Sequence, residues 1–316
     1  HRRPSSARCL LGVLMIQFIN TVLIGLTSGA IYSLMAMAIV LVWRSTRVIN
    51  FAQAGLALAS AYIGYQVVQS INNYWVALIV AMFAGAGLSA LIEIAFMRIL
   101  LKHTSSGPIA SVAPIIATLG LLGIIKASIA MIWGGQDVVV KPPLSNIGFS
   151  IGTHTLVFSP MKLAIVISVA ILVIAFSLIF QKTNIGLALR ASAYAPEIAR
   201  LAGVKVDLVR TLGWALSGAA GAVAGLLLTS NGNGSFSPES MEFSLLLISG
   251  FIAAVIGGLE SLVGAVIGAL VLGLVTSFVL MYISGSLFFI APFVVLLLVL
   301  FIRPQGIIGS KAGRRA

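Results

Sequence analysis

The side chains able to do chemistry are few in this chain, and they are far apart. Seven acids, three histidines and a single cysteine are spread over 316 residues. His1, His103 and His154 form no ligand motif, and Cys9 alone can build neither an intrachain disulfide nor a thiolate metal cluster. No zinc-protease, nucleophile-elbow or Walker-type motif occurs. What remains is mostly polar and uncharged. Gln53 and Ser60 stand seven apart, so they share one face of a helix. Asn50 and Tyr62 flank them, and such groups suit transient passage of a zwitterion or small amide. The same groups could instead serve only to hydrogen-bond helices together. Lys126 is the one cation deep in an apolar run: a functional candidate, or a side chain long enough to snorkel to the interface. Glu93, a turn and a half before Arg98, reads as structural, and Glu260 as a solvated turn residue.

One stretch concentrates charge. Lys182, Arg190, Glu197, Arg200, Lys205, Asp207 and Arg210 all fall within 182–210. Inside it, APEIARLAG has the punctuation of a short helix. Pro196 suits a first turn, where its missing N–H is not needed, and Gly203 suits the position just past the end. Glu197 complements the helix dipole. Ile198, Leu201 and Ala202 fall at i, i+3 and i+4 and make one apolar face, with Arg200 off it. At roughly 10 Å it cannot cross a bilayer, and a helix this short needs support from outside itself. From spacing alone, lipid headgroups and a docked protein are both open as that support.

The elements around it are apolar. Hydrophobic residues make up 60% of the chain and charged ones 8%, with a mean hydropathy of +1.15. A soluble domain carries roughly 25% charged residues. The apolar runs are continuous and near the ~20 residues a spanning helix needs, without the alternation of barrel strands. The fold class is therefore an all-α polytopic membrane protein, a single transmembrane domain of about eight or nine helices over 1–316. The runs are 16–43, 51–69, 75–98, 109–133, 161–181, 211–230, 243–259, 264–283 and 286–302. The net charge of +12 does not point to nucleic acid, because the bases lie in small groups between these runs. Arg44 and Arg47, then Arg98 and Lys102, then 182–210, then Arg303, Lys311, Arg314 and Arg315 mark the cytoplasmic loops. Loops 71–74, 134–160 and 231–240 carry almost no bases and face outward. Nine spans would start outside and end inside. The arginines of HRRPSSARC sit on the wrong side of that scheme. Residues 1–14 are therefore read as an extension ahead of a natural start at Met15, which N-terminal sequencing would check.

Glycines report packing. Gly218, Gly221 and Gly225 lie in SGAAGAVAG, and Gly264 and Gly268 in VGAVIGALVLG. Small residues four apart let membrane helices approach closely. IGGLESLVG (256–264) reads as a turn or broken helix, and Pro114 as a kink in the fourth span.

From Met15 onward the chain resembles the LivH-type permeases of branched-chain amino-acid importers. The stretches that carry the resemblance are GLTSGAIYSLMAMAIVLVWRSTRVINFAQAG, ALIEIAFMRIL, ASVAPIIATLGL, the 184–228 segment, AAVIGGLESLVGAVIGALVLGLV and RPQGIIG. Ala195, Glu197, Ala199 and Gly203 are similar to the loop by which bacterial ABC importer permeases dock their ATPases. The sequence departs from the family pattern at Ala54–Gly55, at Ser249–Gly250 and at Glu260.

The resemblance implies a permease that pairs with a second permease subunit, like or unlike itself, in the bacterial inner membrane. Two cytoplasmic ATPases bind ATP, a periplasmic or extracellular binding protein delivers the solute, and no cofactor sits on this chain. It makes 182–210 the coupling loop, with Arg190, Pro196, Glu197, Ile198, Arg200, Leu201 and Gly203 docking the ATPase. Switching such a protein from 1:99 to 99:1 takes about 5.5 kcal/mol of differential binding, which ATP on the partners could supply. The solute implied is a branched-chain or other hydrophobic amino acid, with urea and short amides as alternatives on the same scaffold. A secondary carrier would need a mid-membrane carboxylate and inverted repeats, and an intramembrane enzyme would need paired catalytic groups. The chain shows neither pattern, and the importer alone explains 182–210.

Overall fold

The computed structural model describes residues 6–103, 112–151, 154–303 and 306–307. Residues 1–5, the start of the fourth run, most of RPQGIIG and the basic tail at Lys311, Arg314 and Arg315 lie outside the described residues. Helix α1 (Ser6–Thr46) is followed by α2 (Gln53–Ile71) and α3 (Tyr74–Ile92). A π-helical turn, Glu93–Met97, joins α3 to α4 (Arg98–His103). Then come α5 (Ala113–Trp133), α6 (Pro160–Lys182), α7 (Asn184–Tyr194) and α8 (Pro196–Leu201). The chain closes with α9 (Val206–Asn231), α10 (Met241–Gly257), α11 (Leu262–Tyr282) and α12 (Ala291–Ile302).

Six of these segments are long and apolar enough to cross a membrane: Leu14–Thr46, Tyr74–His103, Ala113–Trp133, Pro160–Lys182, Val206–Asn231 and Leu262–Tyr282. Helices α2, α10 and α12 are shorter or more polar. The run 286–302 is not one continuous helix. A 3-10 turn, Gly285–Phe288, precedes α12, whose 12 residues reach only about 18 Å of a ~30 Å hydrocarbon core. Pro292 sets the start of α12, because a proline fits the first turn and not the interior. Pro114 behaves in the same way. It opens α5 and does not kink it. The break at 256–264 is present: Gly258 takes φ +98°, a conformation suited to glycine, between α10 and α11.

Helices α1, α2, α9 and α10 form the buried centre, and α3, α5 and α6 turn much of their surface outward. Glycine lets the central backbones touch. Gly218 on α9 faces the backbone of Gly85 on α3, and Gly221 faces the Gln53 side chain. Gly225 meets the backbone of Ala57 and Gly268 that of Ala253, while Gly264 faces Gly257. Gly25 and Gly29 of α1, also four apart, lie equally close to the backbone of α11. Gly218→Val should therefore destabilise the protein by roughly 1–3 kcal/mol or more, since a carbonyl cannot swing aside as a side chain can. Gly87→Ala, on the open side of α3, should be neutral or mildly stabilising. Thermal unfolding in detergent compares the two, and equal midpoints would refute the packing argument.

The loops sort to two ends. At one, Arg47 pairs with Glu260 at 2.7 Å, and the N–H of Ile307 donates to the Ile256 carbonyl. At the other, β1 (Val138–Val139) pairs antiparallel with β4 (Ser235–Phe236), and β2 (Ser150–Ile151) with β3 (His154–Thr155). Asn146 donates to the Ser230 and Gly232 carbonyls there, and Trp133 Nε1 to Gln66. The base-rich and base-poor loops thus segregate as their composition predicts.

Candidate functional site at the basic end

The stretch 182–210 is helical almost throughout. Thr183 caps α7, its hydroxyl accepting from the Gly186 N–H, and α9 already begins at Val206. Between them α8 is held by its own ends. Pro196 lies in its first turn, and Gly203 takes φ +84°. The Gly203 N–H donates to the Arg200 carbonyl and the Val204 N–H to that of Ala199, which is the Schellman closure. Arg200 lies 3.9 Å from Glu197 and 3.5 Å from Asp207, tying α8 to the first turn of α9. Such exposed pairs contribute little energy singly, but they hold the arginine along the helix side.

Only Ala199 of this helix is buried. Ile198 is 68% and Leu201 90% exposed, and Ala202 is exposed with them. The apolar face read from the sequence therefore points away from the bundle. Arg190 belongs to α7, and its guanidinium donates to the Phe180 carbonyl at 3.0 Å. Of the seven docking residues proposed, the structure brings Pro196, Glu197, Ile198, Arg200, Leu201 and Gly203 together and sets Arg190 apart.

A charged clamp behind α8 is a feature the sequence reading missed. Glu93, fully buried, accepts from Arg98 Nε at 3.2 Å and Nη2 at 2.8 Å. Thr211 on α9 donates to the same carboxylate at 2.7 Å, and Arg98 Nη2 also donates to the Asp207 carbonyl. In a regular α-helix, residues five apart are turned about 140° from each other and could not pair in this way. The wider π turn at Glu93–Met97 brings them onto one side. The combination of an acid and a base at i, i+5 in an apolar run was the available signal. Glu260, by contrast, is exposed, as read, and it pairs with Arg47.

The polar group near α2 is buried and mutually bonded. Asn50 caps the Ala52 N–H at 3.1 Å and donates to Gln53, which donates to the Ser217 carbonyl and accepts from the Ser217 hydroxyl. Ser217 lies ten residues along α9 from Asp207, about 15 Å, so α2 starts inside the bundle and not at its surface. Ser60 bonds back to Leu56 within its own helix. Tyr62 is buried on another face against Trp133 and Phe236, at ring distances of 5.4 and 5.0 Å. Its hydroxyl has no hydrogen-bond partner among the described residues. Lys126 is half-buried on α5. These positions form two clusters, one at the inner start of α2 and one near the base-poor end.

A bundle with six segments long and apolar enough to cross a membrane is that of a multi-pass membrane protein. Residues 21–302 match the family described as branched-chain amino acid transport system / permease component, and the chain belongs to that family. It is similar to a probable branched-chain amino acid transport permease protein LivH of Methanocaldococcus jannaschii, 30% identical over 90% of this chain and 91% of that one. It is also similar to the high-affinity LivH of Escherichia coli K12, 27% identical over 92% and 96%. The galactofuranose transporter permease YtfT of the same organism is 29% identical over 66% of this chain and 61% of its own length. No solved structure matches.

Proposed function

We propose that this chain is one membrane half of an ATP-driven importer of branched-chain amino acids, lying in the bacterial inner membrane with its basic end in the cytoplasm. The observation that carries this reading is α8, locked at both ends yet showing Ile198 and Leu201 to solvent. An apolar face held rigid at the end of a membrane bundle is suited to a protein partner. In this reading each of two ATPases seats one such helix, and ATP bound by those partners drives the switch. A second permease subunit completes the path. A binding protein delivers solute at the base-poor end, where the β1–β4 ladder ties two loops together. Asn50, Gln53, Ser60 and Tyr62 belong to the path through the bundle, and Tyr62, whose hydroxyl has no partner among the described residues, is the one best placed to meet a passing polar group.

The test is co-purification followed by reconstitution. A tagged chain extracted in mild detergent should bring two ATPase chains and a second permease subunit. With the binding protein, proteoliposomes of that complex should take up leucine only when ATP is present. Uptake without ATP, or a chain that purifies alone, would overturn the importer reading. ATP-dependent uptake of urea or a short amide in place of leucine would change the solute and keep the mechanism.

A further inference from the structure

A cleft of about 190 Å³ lies between the last turns of α1 and α6, the helix α7 and the start of α11. Two guanidinium groups line it, Arg44 and Arg190. Arg44 lies over the Phe180 ring, 5.6 Å from its centroid, and Arg190 donates to the Phe180 carbonyl. Phe180 thus sets both arginines on the same wall. The one carboxylate lining the cleft is Glu260, and Arg47 already engages it at 2.7 Å. Neither Arg44 nor Arg190 has a carboxylate within ion-pair distance among the described residues.

Arginine cannot shed its charge in a protein, and each guanidinium carries five donors. Two of them facing one cleft therefore ask for an anion, and their planar forks match phosphate oxygens two at a time. Ser177 and Gln181 on α6 and Ser261 before α11 add neutral polar groups to the same cleft. The surroundings are apolar in one direction only. Ile174 and Leu178, along α6, and Val263, at the start of α11, all expose their side chains. An occupant with an anionic head and an apolar tail would have both ends accommodated.

We propose that this cleft is a binding site for the phosphodiester headgroup of an anionic phospholipid. Arg44 and Arg190 clasp the phosphate, and an acyl chain lies along the outer face of α6. Basic pockets between helices at the cytoplasmic membrane surface bind such headgroups. An acidic surface of a protein partner is the competing occupant. The cleft's continuity with the outward apolar face of α6 favours the lipid.

Native mass spectrometry of the full chain tests this, using equimolar phosphatidylglycerol and phosphatidylcholine with identical acyl chains. Wild type should retain the glycerol lipid roughly tenfold or more over the choline lipid. Arg44→Gln with Arg190→Gln should bring the two to near parity. Arg190→Gln alone, on an exposed residue, should remove part of the preference and guards against a misfolded double variant. Lys102→Gln, exposed on α4 and outside the cleft, should keep the full preference. Equal retention by wild type, a preference that survives the double change, or equal loss in Lys102→Gln would each overturn the site. Complete displacement by millimolar inorganic phosphate would reassign it to a soluble anion. Displacement on adding the ATPase subunits would reassign it to a protein surface.

Discussion

Leu201→Asp should release the ATPase subunits from the purified complex while leaving the permease folded. The side chain is 90% exposed in this chain alone, so its replacement removes almost no internal contact. Exposed substitutions of that kind change stability by about 0.5 kcal/mol or less. In a docked complex the same leucine would be covered. Burying it contributes roughly 1.5–3 kcal/mol, and a carboxylate in its place must also be stripped of water. Together these weaken docking by at least about a hundredfold. Leu201→Met, which keeps size and polarity, should retain binding. Glu197→Arg should add to the effect of Leu201→Asp by reversing charge beside it. The readout is ATPase co-eluting per permease, alongside the thermal midpoint of the permease itself. Undiminished ATPase in Leu201→Asp would mean that α8 rests on lipid headgroups, the other support its spacing allows.

What could be read in advance divides by the range of the interaction. The bounds of α8 were legible because Pro196 and Gly203 act locally, through a missing N–H and a positive φ. The direction of its apolar face was not, since Ile198 and Leu201 look the same in sequence whether they face the bundle or away from it. Segregation of the loops followed from composition alone. The joining of Gln53 to Ser217 spans 164 residues, and no local pattern announces it. The fold places Asn50 and Gln53 inside the bundle, with Gln53 bonded to α9. Pro114 was misread for a simple reason: a proline in an apolar run can kink a helix or begin one, and only the preceding backbone decides. The ninth run was likewise too long as read, because hydropathy does not register that 285–288 tightens into a 3-10 turn.

Arg98→Ala should be among the most destabilising single changes in the protein, and removing Glu93 together with it should be much milder. Among the described residues Arg98 is the one charged group that pairs with Glu93, and Glu93 is fully buried. Taking away one partner of a buried pair leaves an uncompensated charge and costs about 3–5 kcal/mol, whereas replacing both with apolar residues of similar volume is often close to neutral. Glu93→Met with Arg98→Met should therefore recover most of the thermal midpoint that Arg98→Ala loses. The clamp also joins two moving candidates. Through Thr211 and the Asp207 carbonyl it fixes the π turn after α3 to the first turns of α9, and Asp207 is in turn paired to Arg200 on α8. If force enters at α8, this is a bonded route from it into the bundle. The double methionine variant separates stability from transmission, because it should fold yet lose the directional link. Its ATP-dependent uptake should fall by about 5- to 150-fold, the range of ordinary coupling energies, while the bound ATPases continue to turn over. A double variant that folds and transports at the wild-type rate would show that Glu93 and Arg98 serve the fold alone.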